Sequence, residues 1–134
     1  GESVETNFEK DPLFGKTRDS MLYNKDYLGD NDPTNEYISP LFGDYEGFPP
    51  LLIQVGSYEM LLSDSTRVAK KAKEAGGKVK LSIYEGMFHV FQMAMLLMPE
   101  SKKAWAEIKR FLHYLDAEEK EENEMQNISK EEKA

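Results

Sequence analysis

Two residues of this 134-residue chain have types and positions suited to proton transfer. Glu59 follows the apolar run Leu51-Leu52-Ile53-Gln54-Val55-Gly56, and His89 follows the run from Lys78 to Glu85. A carboxylate bonded to an imidazole fixes the ring's tautomer. It also stabilises the imidazolium formed when the ring takes a proton from a nucleophile. Read as neighbouring parallel strands, the two runs lie about 4.8 Å apart. Both residues then leave the same carboxyl-end rim, where open parallel sheets form their active sites. Each residue also has a plain reading. A single histidine in an apolar stretch is often structural, and an acid after a strand often sits in solvent or at a helix start. Asp64 competes with Glu59 as the acid, although its place in the first turn of a helix gives it the ordinary role of complementing the helix dipole. His113, beside Tyr114, reads as a surface residue.

A nucleophile is missing. No glycine stands two residues after any serine, so the Gly-x-Ser-x-Gly elbow is absent from the chain. A His-Gly-Gly oxyanion loop and a glycine-rich phosphate loop are absent too. There is no cysteine, which excludes disulfides, thiol catalysis and cysteine-ligated zinc. Two histidines 24 positions apart, with no acids clustered at ligand spacing, give no support for a metal site. No cofactor is implied. A net charge of −8 argues against nucleic acid, whose phosphates need a basic patch. From Asp116 to Ala134, eight acids and three lysines carry −5 of that charge. No run approaches the ~18 apolar residues of a membrane span, and no signal-peptide pattern opens the chain. With no cysteine, the cytoplasm is the favoured compartment.

The elements that must position the pair follow from pattern. Residues 1–50 are rich in turn formers, with Asp11-Pro12, Gly29 to Pro33 and Pro49-Pro50 as the plainest signals. One short helix fits Ser20–Leu28. So little regular structure suggests a segment lying across another surface rather than an independent domain. Residues 51–56 read as a strand buried on both faces. A helix over Asp64–Ala75 follows, with Ser63 as its N-cap and Gly76-Gly77 as its stop. The second strand, 78–85, alternates Val79, Leu81 and Ile83 with Lys78, Lys80 and Ser82, as an edge strand with one wetter face would. Strand, helix and strand of these lengths imply parallel pairing with a right-handed crossover. The methionines at 87, 93, 95 and 98 read as core packing, with an acyl pocket as the alternative. A last helix runs from about 100 to 115, with Trp105 partly buried on it. The tail from 116 to 134 is expected to continue the helix briefly and then to be disordered.

These residues together resemble a known family. The stretches Ile38-Ser39-Pro40-Leu41-Phe42-Gly43-Asp44, Phe48-Pro49-Pro50-Leu51-Leu52-Ile53-Gln54-Val55-Gly56-Ser57, Glu59-Met60-Leu61-Leu62-Ser63-Asp64-Ser65 and Tyr84-Glu85-Gly86-Met87-Phe88-His89-Val90-Phe91 are similar to the hormone-sensitive-lipase-like esterases, the third α/β-hydrolase fold family. Gly1-Glu2-Ser3 and Tyr27-Leu28-Gly29-Asp30 with Asp32-Pro33 also fit. The resemblance covers about residues 1–115 and makes 116–134 an appended tail. It implies the C-terminal part of an α/β fold, with the strands at 51–56 and 78–85 as the seventh and eighth of eight. It implies a serine–acid–histidine triad that cleaves carboxylic esters, in the chain order serine, acid, histidine. His89 maps onto the base and Glu59 onto the acid, with Asp64 as second choice.

The implied function is therefore the acid-and-histidine portion of a serine carboxylester hydrolase, inactive by itself. Its partners would be a small acyl ester and the N-terminal half of the hydrolase fold, and the edge strand could pair two copies as a homodimer. The competing reading is a non-catalytic remnant retained as a binding or interaction module. The start at Gly1 rather than Met counts against that reading.

Overall fold

The computed structural model describes residues 1–17 and 25–131. Its chain divides by internal contacts into two compact units, Gly1–Met93 and the residues from Ala94 onward, where the sequence suggested a boundary after 115.

The first unit is built on two parallel strands, β1 (Leu51–Gly56) and β2 (Val79–Tyr84). Their register runs from Leu51 opposite Val79 to Gly56 opposite Tyr84. Helix α3 (Leu62–Glu74) connects them. Here α1 denotes Ser3–Thr6 and α2 denotes Lys25–Leu28; residues 20–24 of the helix expected at 20–28 lie outside the described residues. Val55, Met60, Ala69, Ala72 and Phe91 are buried and form the core of this unit. Small alanines on α3 let the helix sit close to the strands, which is why its apolar stripe is thin.

The ends of α3 differ in how well they were foreseen. Gly76 has a φ of +84°, and its N–H bonds to Lys73 O while Gly77 N–H bonds to Ala72 O. That is the Schellman arrangement, which places a glycine in the left-handed region. At the other end Ser63 does not cap. The helix begins at Leu62 without a side-chain cap, and the Ser63 hydroxyl instead meets Ser3 at 2.7 Å.

The strands are less enclosed than expected. Only Val55 and Gly56 of β1 are fully buried, and Ile83, expected on the covered face of β2, is 50% exposed. No third strand flanks the pair among the described residues. The loop-rich segment before β1 is held largely by aspartate and asparagine side chains that accept from backbone N–H groups two residues on, at Asp11, Asp32, Asn35 and Asp44. The Thr34 N–H, and then its hydroxyl, hold the Asp32 carboxyl below its usual range.

After β2 the chain makes 3₁₀ turns over Phe91–Leu97, kinked at Met95. Met93 and Met95 are exposed, so core packing was the wrong reading for both. Helix α4 then runs from Pro99 to Glu131. It includes residues 116–131, where a brief continuation and then disorder were expected. The composition there cannot build a core, but Ala, Glu, Lys, Met and Gln are strong helix formers. Asp116 and Lys120, like Lys120 and Glu124, stand at the spacing that supports a helix with opposite charges. No helix of the described residues is long and apolar enough to cross a membrane.

Candidate active site

The parallel ladder does not stop where β1 ends. Ser57 N–H bonds to Tyr84 O at 2.9 Å and Tyr58 N–H to Met87 O at 3.0 Å, so the two loops leave the sheet side by side. Gly56 makes this approach feasible. A Cβ there would lie 2.0 Å from Met87 O, backbone against backbone. The chain then turns, with Glu59 N–H bonded to Gly56 O. The Glu59 side chain folds back over this turn, and its Oε1 accepts the Gly56 N–H at 2.8 Å. Its neighbour Met60 is buried and pins the loop to the core.

His89 arrives through two successive turns. The first, Tyr84 to Met87, has Gly86 at φ +71°. The second runs from Phe88 to Phe91 with Val90 at φ +51°. A positive φ at the third position is a type II feature, which glycine or asparagine fills without strain. A β-branched valine there costs about 1–3 kcal/mol. Phe91, wholly buried with its ring centroid 4.9 Å from that of Tyr84, holds the turn in place.

The two loops bring His89 Nδ1 to 3.0 Å from Glu59 Oε2. Because a carboxylate only accepts, neutral His89 carries its proton on Nδ1, and Nε2 is left as the basic nitrogen. The Glu59 side chain is buried, while that of His89 keeps 23% exposure. The ring can therefore meet a reacting group while its partner is shielded from water. Asp64, the second candidate, does not join them. It stands in the first turn of α3 and pairs with Arg67 at 3.6 Å. His113 is exposed on α4.

Three further polar residues at the rim were not read from the sequence. Successive i to i+4 bonds, Asn7 N–H to Ser3 O, Asp11 N–H to Asn7 O and Gly15 N–H to Asp11 O, set Ser3, Asn7 and Asp11 along one side of the chain. All three are buried. The Ser3 hydroxyl donates to Met60 O at 2.5 Å and accepts from Ser63 N–H at 2.9 Å. The Asn7 amide donates to Ser57 O at 3.0 Å and to Glu59 O at 2.9 Å. Asp11 Oδ2 accepts from Met60 N–H at 3.3 Å. Their signal was a Ser, Asn, Asp series at four-residue spacing, hidden among turn formers. The Phe14 ring lies on His89, with centroids 4.2 Å apart.

Residues 1–93 match the family described as the alpha/beta hydrolase fold. The chain belongs to that family. Among its relatives, an esterase from Acinetobacter venetianus is 47% identical over 93 residues, which are 69% of this chain and 31% of that protein. An acetyl-hydrolase from Streptomyces hygroscopicus is 41% identical over 78 residues, 58% of this chain and 26% of the relative. The crystal structure of an esterase from the bacterial hormone-sensitive lipase family matches with a TM-score of 0.76 and 42% identity, over 84% of this chain and 37% of that one. The resemblance to hormone-sensitive-lipase-like esterases therefore holds, and with it the partial α/β-hydrolase fold. This α/β-hydrolase-fold chain spans well under half the length of each of these relatives. A groove of about 670 Å³ between residues 38–42 and α3 includes neither Glu59 nor His89 in its lining.

Proposed function

We propose that His89 and Glu59 are the base and the acid of a serine carboxylester hydrolase whose serine and oxyanion hole lie in the part of the fold this chain does not span. The observation that carries the reading is the 3.0 Å bond from His89 Nδ1 to a buried Glu59 carboxylate at the carboxyl ends of two parallel strands. His89 Nε2 takes the serine hydroxyl proton as the oxygen attacks the ester carbonyl. It returns that proton to the departing alkoxide, which leaves as the alcohol. Water then repeats the cycle on the acyl-enzyme, and the carboxylic acid is released. Glu59 keeps Nδ1 protonated and balances the charge on the ring. The substrate class is a small acyl ester. A second copy would pair along β2, where Ile83 is half exposed.

The test begins upstream. An in-frame Gly-x-Ser-x-Gly in the gene supports the reading, and its absence ends the enzyme reading of the native product. In the protein carrying that serine, His89→Ala should lower kcat on p-nitrophenyl acetate by at least about 10⁴-fold, the scale on which triad members act. Loss of activity in Asp64→Asn with Glu59→Gln unaffected would show the acid to be misassigned. The 134-residue chain alone should show no turnover above background.

A further inference from the structure

We propose that Asp11 is a positioning residue for the acid–histidine pair, its carboxylate tying the acid's loop and the aromatic face of the base to one point. The inference rests on the pair being the working site. Asp11 is 2% exposed, and its two oxygens do different work. Oδ2 accepts from Met60 N–H, the residue after Glu59. Oδ1 accepts from Leu13 N–H and Phe14 N–H, each at 3.0 Å. Those two bonds close the turn that lays the Phe14 ring on His89, with the ring planes inclined at 43°. Gly15 lets the turn close, because a Cβ there would lie 1.7 Å from Phe8 O. Glu59 holds the His89 ring through one nitrogen. The tilted Phe14 ring, 4.2 Å away between centroids, limits the side-chain swings that would break that bond. The same carboxylate therefore sets where the acid's backbone stands and which way the imidazole faces.

Asparagine at position 11 has a single acceptor oxygen. Whichever way its amide is turned, one arm loses its acceptor and meets an N–H with an N–H. A carboxylate that only stapled the first fifteen residues down would alter stability and leave the ring as it was.

The experiment is ring ¹⁵N and low-field ¹H spectroscopy of His89 in the full 134-residue chain, with exposed His113 as internal reference. The wild type should show the Nδ1–H tautomer and a low-field Nδ1 proton. Asp11→Asn should lose most of that proton's intensity and populate the Nε2–H tautomer, with far-UV circular dichroism retained. Phe14→Leu keeps the turn and removes the ring face, and it should shift the ring signals in the same direction by a smaller amount. If Asp11→Asn does not fold, Phe14→Leu decides. Folded Asp11→Asn with wild-type His89 signals overturns the proposal, and so do unchanged signals in Phe14→Leu when that variant must decide. Glu59→Ala, which removes the acceptor altogether, separates the two readings. If it leaves the Nδ1 proton in place, the acid–histidine pair itself is wrong. If it removes that proton while Asp11→Asn does not, only the role of Asp11 falls.

Discussion

The rim from Gly56 to Met60 and the helix from Pro99 to Glu131 keep their shapes by different means. The rim has hardly any regular structure, yet Ser3, Asn7, Asp11, Glu59 and Met60 are all buried there, and bonds from residues some fifty positions away hold it. The helix is regular for 33 residues, and from Asp116 to Ser129 nearly every side chain faces solvent. Tyr114 Oη donates to the Glu118 carboxylate one turn along the same helix. Rigidity at the rim thus comes from satisfied burial. Regularity in the exposed stretch of the helix, 116–129, comes from backbone propensity. Chemistry needs the former, because a misplacement of about 1 Å at a reacting group can cost about a hundredfold in rate.

The contrast can be broken at either end. The largest effect is expected from Gly56→Ala, whose new methyl would meet the Met87 carbonyl with neither backbone free to swing aside. A cost of about 3 kcal/mol in urea unfolding is expected, and a change under about 0.5 kcal/mol would show that the rim yields. Asn7→Ala comes next. It takes the amide donor from Ser57 O and Glu59 O, at about 2 kcal/mol for buried acceptors left without that donor. A neutral result would mean that the remaining bonds hold the loop unaided. Smallest is Glu121→Ala on the exposed helix, expected within about 0.5 kcal/mol. A loss of several kcal/mol there would erase the distinction between the regions.

What the sequence revealed follows the same division. Leu51 to Gly56, bounded by prolines and a glycine, reads as a strand because a short apolar run of that length leaves little else, although only its last two residues are fully buried. Once both strands are placed, Glu59 and His89 fall on one rim by topology alone. Distances over fifty residues are not written in local pattern, so Ser3, Asn7 and Asp11 looked like ordinary turn formers. The left-handed backbone at Val90 was invisible too, because a β-branched residue signals the opposite preference. Met93 and Met95 misled because an apolar side chain shows a tendency to be covered but not what covers it. The acidic stretch misled in the other sense. Charge shows that a segment stays wet, and a wet segment can still be helical.

The long reach of the first fifteen residues also orders events in time. Asp11 and Met60 are 49 positions apart, and Ser3 and Met60 are 57 apart. Closing a loop of about 50 residues costs about 3.5 kcal/mol beyond a constant, and contacts of such separation slow folding. The strands and α3 can form from neighbouring sequence, but the clasp around Glu59 waits for the chain's two distant parts to meet. During synthesis, Ser3, Asn7 and Asp11 emerge well before the loop they hold. The acid's final alignment is thus a late step of folding.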